Sequence, residues 1–262
     1  MTTVSEILKF LHTLAPPYMK ESWDNVGLLC GDPKQPVTKI LVALDPFEHV
    51  CREAGEIGAQ LIVTHHPLIF QAPKSVTTET SVGRSILTLA ASGISAINAH
   101  TNLDCAPGGV NDVFAKTLGL QDISVLNASG TDEAGNPWGL LRMGTYDAEL
   151  SAFLEHVKTA LHAEGLRYVQ GCDKVSKVAV GGGACAGALM DVVDAGCDTF
   201  VTADVKYNQF WDAKELGINL IDAGHFATEN PVVAVLAAKL QAKFPEIEIF
   251  ISKTHRDCMK FY

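Results

Sequence analysis

Short apolar runs alternate with helix-like patterns along most of this 262-residue chain. A run that is apolar at successive positions is typical of a strand buried on both faces. Strands of this kind, separated by helices, favour parallel sheets that helices cover on both sides. The sequence therefore predicts an α/β protein with mostly parallel sheets. The predicted strands include KILVALDP (39–46), QLIVTHH (60–66), ISAINAH (94–100), KVAVGGG (177–183), TFVTAD (199–204) and NLIDAGH (219–225).

Residues 37–64 and 175–202 read as two copies of one unit, offset by 138 positions. The offset aligns Gly58 with Gly196, and the strand LIVTHH with TFVTAD. Each copy continues to a strand that leads into a histidine followed four residues later by an acid. Short βαβ units also resemble one another by chance, so convergence is the alternative. A true repeat predicts two similar α/β lobes that share a site in the cleft between them.

We expect lobe one to comprise residues 1–122 with about 230–262, and lobe two about 123–229. Lobe one would carry His65, His66 and Asp104, and lobe two Asp204, His225 and Glu229.

Composition excludes several classes of protein. The formal charge of −10 argues against general electrostatic binding to nucleic acid or anionic lipid. The first residues, MTTVSEILKF, lack the basic and apolar regions of a signal peptide, and we expect no membrane span. The seven cysteines are odd in number and lack CxxC spacing, so we expect reduced thiols and a cytoplasmic location.

Ionisable side chains gather at or just after the ends of the predicted strands. In open α/β sheets this rim is where ligands bind. Each residue has an ordinary structural explanation on its own, but so many on one rim predict a site. They are Asp45, His65, His66, His100, Asp104, Asp204, His225 and Glu229.

Imidazole and carboxylate ligands together suit Zn, Mn or Fe(II). The group exceeds the needs of one four-coordinate ion and fits two divalent ions about 3.5–4 Å apart. The adjacent His65 and His66 could then diverge towards different ions. Asp104 has an alternative role as a helix cap. His225 and Glu229 have i, i+4 spacing, but Pro231 leaves open that they lie on a turn before a helix.

The glycine run from Gly181 to Gly187 follows a predicted strand and loosely fits a dinucleotide-binding turn. No Walker GK[ST] is present, and a lone glycine-rich turn is weak support. A phosphate contacting the backbone amides of this turn is the other functional interpretation.

Five ordered motifs resemble the GTP cyclohydrolase 1 type 2 family, also called Ngg-interacting-factor-three-like. They are WDNVGL (23–28), THHP (64–67), HTNLD (100–104), TADVKY (202–207) and GHFATE (224–229), and the likeness runs from about residue 4 to 252. The resemblance implies a dinuclear metal protein that assembles as a toroidal homohexamer. It implies the ligands His65, His66, Asp104, His225 and Glu229, in a short form without the inserted domain of longer members.

The resemblance also implies a reaction on a small molecule, with GTP ring opening and formate release as the form in the family's name. His100 would then shuttle protons, or else orient Asp104 by a hydrogen bond. The same ligands would equally serve a two-metal phosphoesterase or amidohydrolase, or a metal-binding scaffold without catalysis. The residues do not distinguish Zn, Fe and Mn.

Overall fold

Two sheets, of five and six strands, organise the chain in the computed structural model, which describes residues 1–262. The chain divides into two compact units. Unit 1 comprises Met1–Leu103 and Val233–Arg256, and unit 2 comprises Asp104–Val232 and Asp257–Tyr262. No helix has the combination of length and apolar character that crossing a bilayer requires.

Unit 1 contains the five-stranded sheet, in the order β1-β4-β3-β2-β13. Only β1 runs antiparallel to its neighbour, so the expected mostly parallel sheet is confirmed here. The elements are α1 (Val4–Leu14), β1 (Gly27–Cys30), β2 (Lys39–Ala43), α2 (Glu48–Glu56), β3 (Leu61–Thr64), α3 (Ser81–Ser92), β4 (Ser95–Asn98), most of α10 (Pro231–Lys243) and β13 (Glu248–Ile251); the short α4 (Thr101–Cys105) begins in unit 1 and ends in unit 2.

Both faces of the unit 1 sheet are buried. Successive residues Ile40, Leu41 and Val42 on β2 are each 1% exposed or less, although they point to alternate faces. Leu41 packs in a cluster with Val50 of α2 and Leu89 of α3. Because β2, β3 and β4 are adjacent and parallel, the residues that follow them lie along one edge of the sheet.

Unit 2 contains the six-stranded sheet, in the order β5-β8-β10-β11-β12-β9. Its elements are α5 (Val110–Thr117), β5 (Gln121–Leu126), the hairpin of β6 (Gly130–Thr131) and β7 (Pro137–Trp138), β8 (Leu141–Glu149), α6 (Leu150–Ala160), β9 (Arg167–Val169), β10 (Lys174–Val180), α7 (Leu189–Asp194), β11 (Thr199–Thr202), α8 (Tyr207–Leu216), β12 (Asn219–Asp222) and α9 (His225–Glu229).

The prediction of a mostly parallel sheet is wrong for unit 2. Only β10, β11 and β12 are mutually parallel, whereas the pairs β5–β8, β8–β10 and β9–β12 are antiparallel. The outer strands β5 and β9 carry exposed and half-buried residues. Antiparallel edge strands can face water on one side, so they lack the continuous apolar run by which the sequence predicted strands.

Helices cover the central strands of unit 2 on both faces. Val178 and Val180 of β10 join one core cluster with Phe153 of α6, and Ala179 between them joins a second cluster with Leu189 of α7. The period of two along β10 therefore separates two apolar cores, as a doubly covered strand requires.

The 138-residue repeat is present in the strand pairing and hydrogen bonds. In the first copy Ile40 pairs with Leu61, and in the second Val178 pairs with Thr199, the equivalent positions. Outside the strands, Gln60 Oε1 accepts the backbone N–H of Lys39 at 3.0 Å, and Asp198 Oδ2 accepts that of Lys177 at 2.9 Å. The copies thus share one β-α-β plan in detail.

The observed division differs from the expected one at two places. Residues 104–122 lie in unit 2, since Phe114 of α5 packs into the core cluster of that unit, and Asp104 goes with them. The last residues also belong to unit 2, where Lys260 Nζ lies 2.6 Å from Glu164 Oε1 and the Phe261 ring lies against Gly165. Tertiary packing, which the local sequence pattern does not show, accounts for both boundaries.

Candidate metal centre

The paired histidines follow β3 and have different partners. His65 is fully buried and its Nδ1 donates to the carbonyl of Ala99 at 2.9 Å. His66 Nδ1 donates to Asp45 Oδ1 at 2.6 Å, and Asp45 follows the adjacent strand β2. A carbonyl or carboxylate oxygen can only accept, so each Nδ1 carries the proton and each Nε2 presents a lone pair. Both rings are therefore set in the tautomer that ligates a metal through Nε2.

His100 joins the pair from the end of the neighbouring strand β4. One ring nitrogen of each of His65, His66 and His100 lies within 4.8 Å of the others. His100 Nδ1 donates to Asp24 Oδ1 at 2.8 Å, which again leaves Nε2 as the lone-pair atom. Three imidazoles at this spacing form a group that could hold a metal ion.

Asp24 is a buried carboxylate that the sequence analysis did not single out as a site residue. It also accepts the backbone N–H of Thr101 at 3.0 Å, so it fixes both the ring of His100 and the start of α4. Burial raises the pKa of the Asp24 carboxyl, but hydrogen bonds from His100 and Thr101 outweigh this and hold that pKa well below its usual range. Asp24 is therefore ionised throughout the physiological range.

Two aromatic rings lie beside His100 in unit 1. Trp23 and Phe70 are 58% and 50% exposed, and their ring centroids are 5.6 Å apart. Each ring lies close to the imidazole of His100, at 6.3 Å from Trp23 and 6.2 Å from Phe70. The imidazole group therefore has an exposed aromatic border.

In unit 2, His225 and Glu229 lie at the two ends of the short helix α9. The alternative that they lie on a turn before the helix is therefore wrong, because α9 precedes the helix that Pro231 opens. His225 Nδ1 donates to Asp204 Oδ2 at 2.8 Å, and His225 Nε2 lies 3.1 Å from Glu229 Oε2. A lone pair and a carboxylate oxygen at this distance repel each other unless they share a proton or a metal ion.

Asp104 also lies in unit 2 and is buried, as is Glu229. Its alternative role as a helix cap is wrong: it lies within α4, and α5 has Gly109 at its N-cap with no side-chain cap. Burial and the nearby carboxylates of Asp104 and Glu229 raise the pKa of the Cys185 thiol. Two buried carboxylates near one thiol concentrate negative charge that a divalent cation would neutralise.

The glycine turn packs against the carboxylate of Glu229. Gly183 has a φ of +63°, and a Cβ at this position would overlap Glu229 Oε1 and lie 3.1 Å from His225 Nε2. The amide of Gly182 donates to Asn111 Oδ1 at 2.7 Å, and that of Gly183 donates to Thr228 Oγ1 at 3.0 Å. These two amides are bonded within the protein, and the turn packs closely against Glu229.

The predicted residues thus form two groups, each described within its own unit. Unit 1 holds His65, His66 and His100, and unit 2 holds Asp104, His225 and Glu229. The donors are imidazole nitrogens and carboxylate oxygens, the set preferred by Zn, Mn and Fe(II), and the residues fit a divalent metal.

Several known proteins resemble this chain over nearly its whole length. The model of the Duf34/NIF3 family (NGG1p interacting factor 3) matches residues 2–258. A Clostridium perfringens protein named GTP cyclohydrolase 1 type 2 homolog is 35% identical over 98% of this chain and 99% of its own length. A Clostridium acetobutylicum protein of the same name is 33% identical over 98% of each chain. The solved structure of a Bacillus cereus protein related to NIF3 superposes with a TM-score of 0.94 at 26% identity, covering 100% of this chain and 99% of the other.

Proposed function

The chain belongs to the Duf34/NIF3 family, and from this premise we propose that it is a metal-dependent hydrolase with a dinuclear centre. His65, His66, Asp104, His225 and Glu229 together would hold two divalent ions of Zn, Fe or Mn. The observation that carries the proposal is the common setting of the imidazoles. His65, His66 and His225 each donate Nδ1–H to a carbonyl or carboxylate oxygen, which makes Nε2 the unprotonated nitrogen, the atom through which such rings ligate metals.

Catalysis is favoured over a purely structural metal site by the number and kind of donors. A structural zinc site is closed by four protein ligands to one ion, whereas five ligands over two ions leave positions for water and substrate. Bound divalent ions supply Lewis acidity and make water a stronger acid near neutral pH.

The protein's own residues divide the remaining work. Asp45 and Asp204 orient the rings of His66 and His225. His100 is fixed through Nδ1 by the ionised Asp24, so its Nε2 is the atom that accepts and returns a proton. We assign His100 the role of proton shuttle and leave the metal ions to the five ligands named above.

The substrate class follows from the aromatic border. The exposed rings of Trp23 and Phe70 beside His100 suit a planar heteroaromatic ring, because such rings stack on aromatic faces. GTP carries such a ring and is our first candidate. One water would add at C8 of guanine and open the ring to a formamide, and a second would release C8 as formate. A phosphoester or amide substrate is the alternative that the same ligands would serve.

The test is an assay of metal-reconstituted protein with GTP that measures formate and inorganic phosphate separately. We expect formate, and we expect His65→Ala to lose metal and formate release together. His156→Ala is the matched control, because His156 Nε2 bonds the carbonyl of Leu118 and His156 belongs to neither ligand group. Phosphate without formate would replace ring opening by phosphoester hydrolysis, and neither product from fully metal-loaded protein would refute GTP as the substrate.

We propose further that the chain assembles as a toroidal homohexamer, which the family resemblance supports. Light scattering of the protein as it elutes from a size-exclusion column should give six times the monomer mass of 28.0 kDa. A monomer across the micromolar range would refute this assembly without bearing on the metal site.

A further inference from the structure

The carboxylate of Asp45 is shared by two histidines that are far apart in the sequence. His66 Nδ1 donates to Oδ1 at 2.6 Å, and His255 Nε2 donates to Oδ2 at 2.9 Å. The side chain of His255 is only 5% exposed. Each carboxylate oxygen thus receives one imidazole N–H, which fixes the plane of the carboxylate from both sides.

His255 is itself held firmly. Its backbone N–H donates to Ser252 Oγ at 3.1 Å, and Ser252 Oγ donates to Glu53 of α2. The same glutamate accepts the backbone N–H of Lys253 at 2.7 Å. The segment after β13 is therefore fastened to α2, and it carries the His255 ring to Asp45.

Aromatic neighbours complete the setting of this ring. The centroid of Phe47 lies 5.8 Å from that of His255, and the centroid of His49 lies 5.9 Å away. His49 therefore touches the same ring without contributing a hydrogen bond to Asp45. This difference supplies a matched control.

We propose that His255 is a positioning residue that acts through Asp45 on His66 and so sets the affinity of the metal ion that His66 holds. The inference rests on the dinuclear site proposed above. Without His255 the Asp45 carboxylate is held only through Oδ1 and can rotate about χ2, so the His66 imidazole that donates to Oδ1 loses its fixed direction. Disturbing the outer partners of metal ligands weakens metal binding by about 10–100-fold, and we expect the lower end because His255 acts through Asp45.

The experiment titrates Zn²⁺ into metal-free wild type, His255→Ala, His255→Gln and His49→Ala, in competition with a chromophoric chelator. We expect His255→Ala to weaken the binding of one of the two Zn²⁺ ions about tenfold and to leave the affinity for the other near that of wild type. Glutamine places an amide N–H the same number of bonds from the backbone as His Nε2, so His255→Gln should restore most of the affinity. His49→Ala should match wild type.

A purely structural role for His255 predicts something else. His255→Ala would then lower the melting temperature of the metal-free protein while leaving both Zn²⁺ affinities unchanged, and this result would overturn the proposal. Equal weakening in His255→Ala and His255→Gln would overturn it too. The d–d spectrum of the Co²⁺-loaded protein adds a second readout and should change in His255→Ala but not in His49→Ala.

The two proposals fail in distinguishable ways. Wild-type protein that binds Zn²⁺ but releases neither formate nor phosphate from GTP would end the proposal of GTP hydrolysis and leave the role of His255 standing. Wild-type protein that binds no Zn²⁺ would overturn both.

Discussion

Replacing Gly183 by alanine tests whether close packing of the glycine turn keeps the carboxylate of Glu229, a candidate metal ligand, in its position. The new Cβ would overlap Glu229 Oε1 and lie 3.2 Å from Glu229 Cδ, so the carboxylate must move by roughly 1 Å to regain van der Waals distance. Glu229 is only 4% exposed, so it cannot simply swing into water. We therefore expect metal affinity to fall by about 10–100-fold, the range seen when the support of a ligand is disturbed.

The backbone contributes a separate cost that must be subtracted. Gly183 has φ +63°, and an L-residue in the left-handed region loses about 1–2 kcal/mol. Gly196 has φ +70° with no atom within 4 Å of the position that a Cβ would take, so Gly196→Ala carries the backbone cost without the clash. Both variants should melt lower, by about 2–4 °C per kcal/mol for a chain of this size.

The assay combines thermal melting of the metal-free proteins with a Zn²⁺ titration of each. Gly183→Ala should melt below Gly196→Ala in EDTA, because it carries the clash as well as the backbone cost, and only Gly183→Ala should bind Zn²⁺ weakly. Equal Zn²⁺ affinity in the two variants would refute the argument that the turn makes room for Glu229.

Two further predictions concern stability. Burial raises the pKa of Glu53, but hydrogen bonds from Lys253, Ser252 and Thr254 outweigh this and lower the pKa below its ordinary value of 4.5. The ionised Glu53 therefore stabilises the folded state above about pH 4.5. This contribution is lost as the pH falls through the lower pKa of the folded state. Glu53→Gln should lose about 1–2 kcal/mol at pH 7 and show a flatter pH dependence in urea denaturation below pH 5, and an unchanged pH profile would contradict this. Arg142 is buried and pairs with Asp112, so Arg142→Ala should lower the free energy of unfolding by about 3–5 kcal/mol. Arg142→Lys should not restore the melting temperature, because lysine lacks the planar guanidinium with its several N–H donors.

The central strands could be predicted because burial on both faces leaves a continuous apolar run. Strands β2, β3, β4, β10, β11 and β12 all carry this signal and were all predicted. Strands β1, β5 and β9 were not, since each is short or partly exposed and lies at a sheet edge. The mixed direction of the unit 2 sheet was missed for the same reason, because two of its antiparallel strands are these edges.

The candidate ligands could be predicted from their position, but their orienting partners could not. A histidine that follows an apolar strand pattern can be recognised in the sequence, as His65, His66 and His225 show. The pairing of Asp24 with His100 spans 76 residues and depends on how the segment before β1 packs. No local pattern in a single sequence carries that information.

The 138-residue repeat allows the side chains at equivalent positions of the two copies to be compared. His66 and Asp204 occupy equivalent positions, yet one is a candidate ligand and the other a carboxylate that steadies a ligand. Asp45 is equivalent to Gly183, where the first copy has an orienting acid and the second has space for Glu229. Equivalent backbone positions therefore carry different chemical roles in the two copies. One β-α-β plan thus carries two different sets of side-chain chemistry.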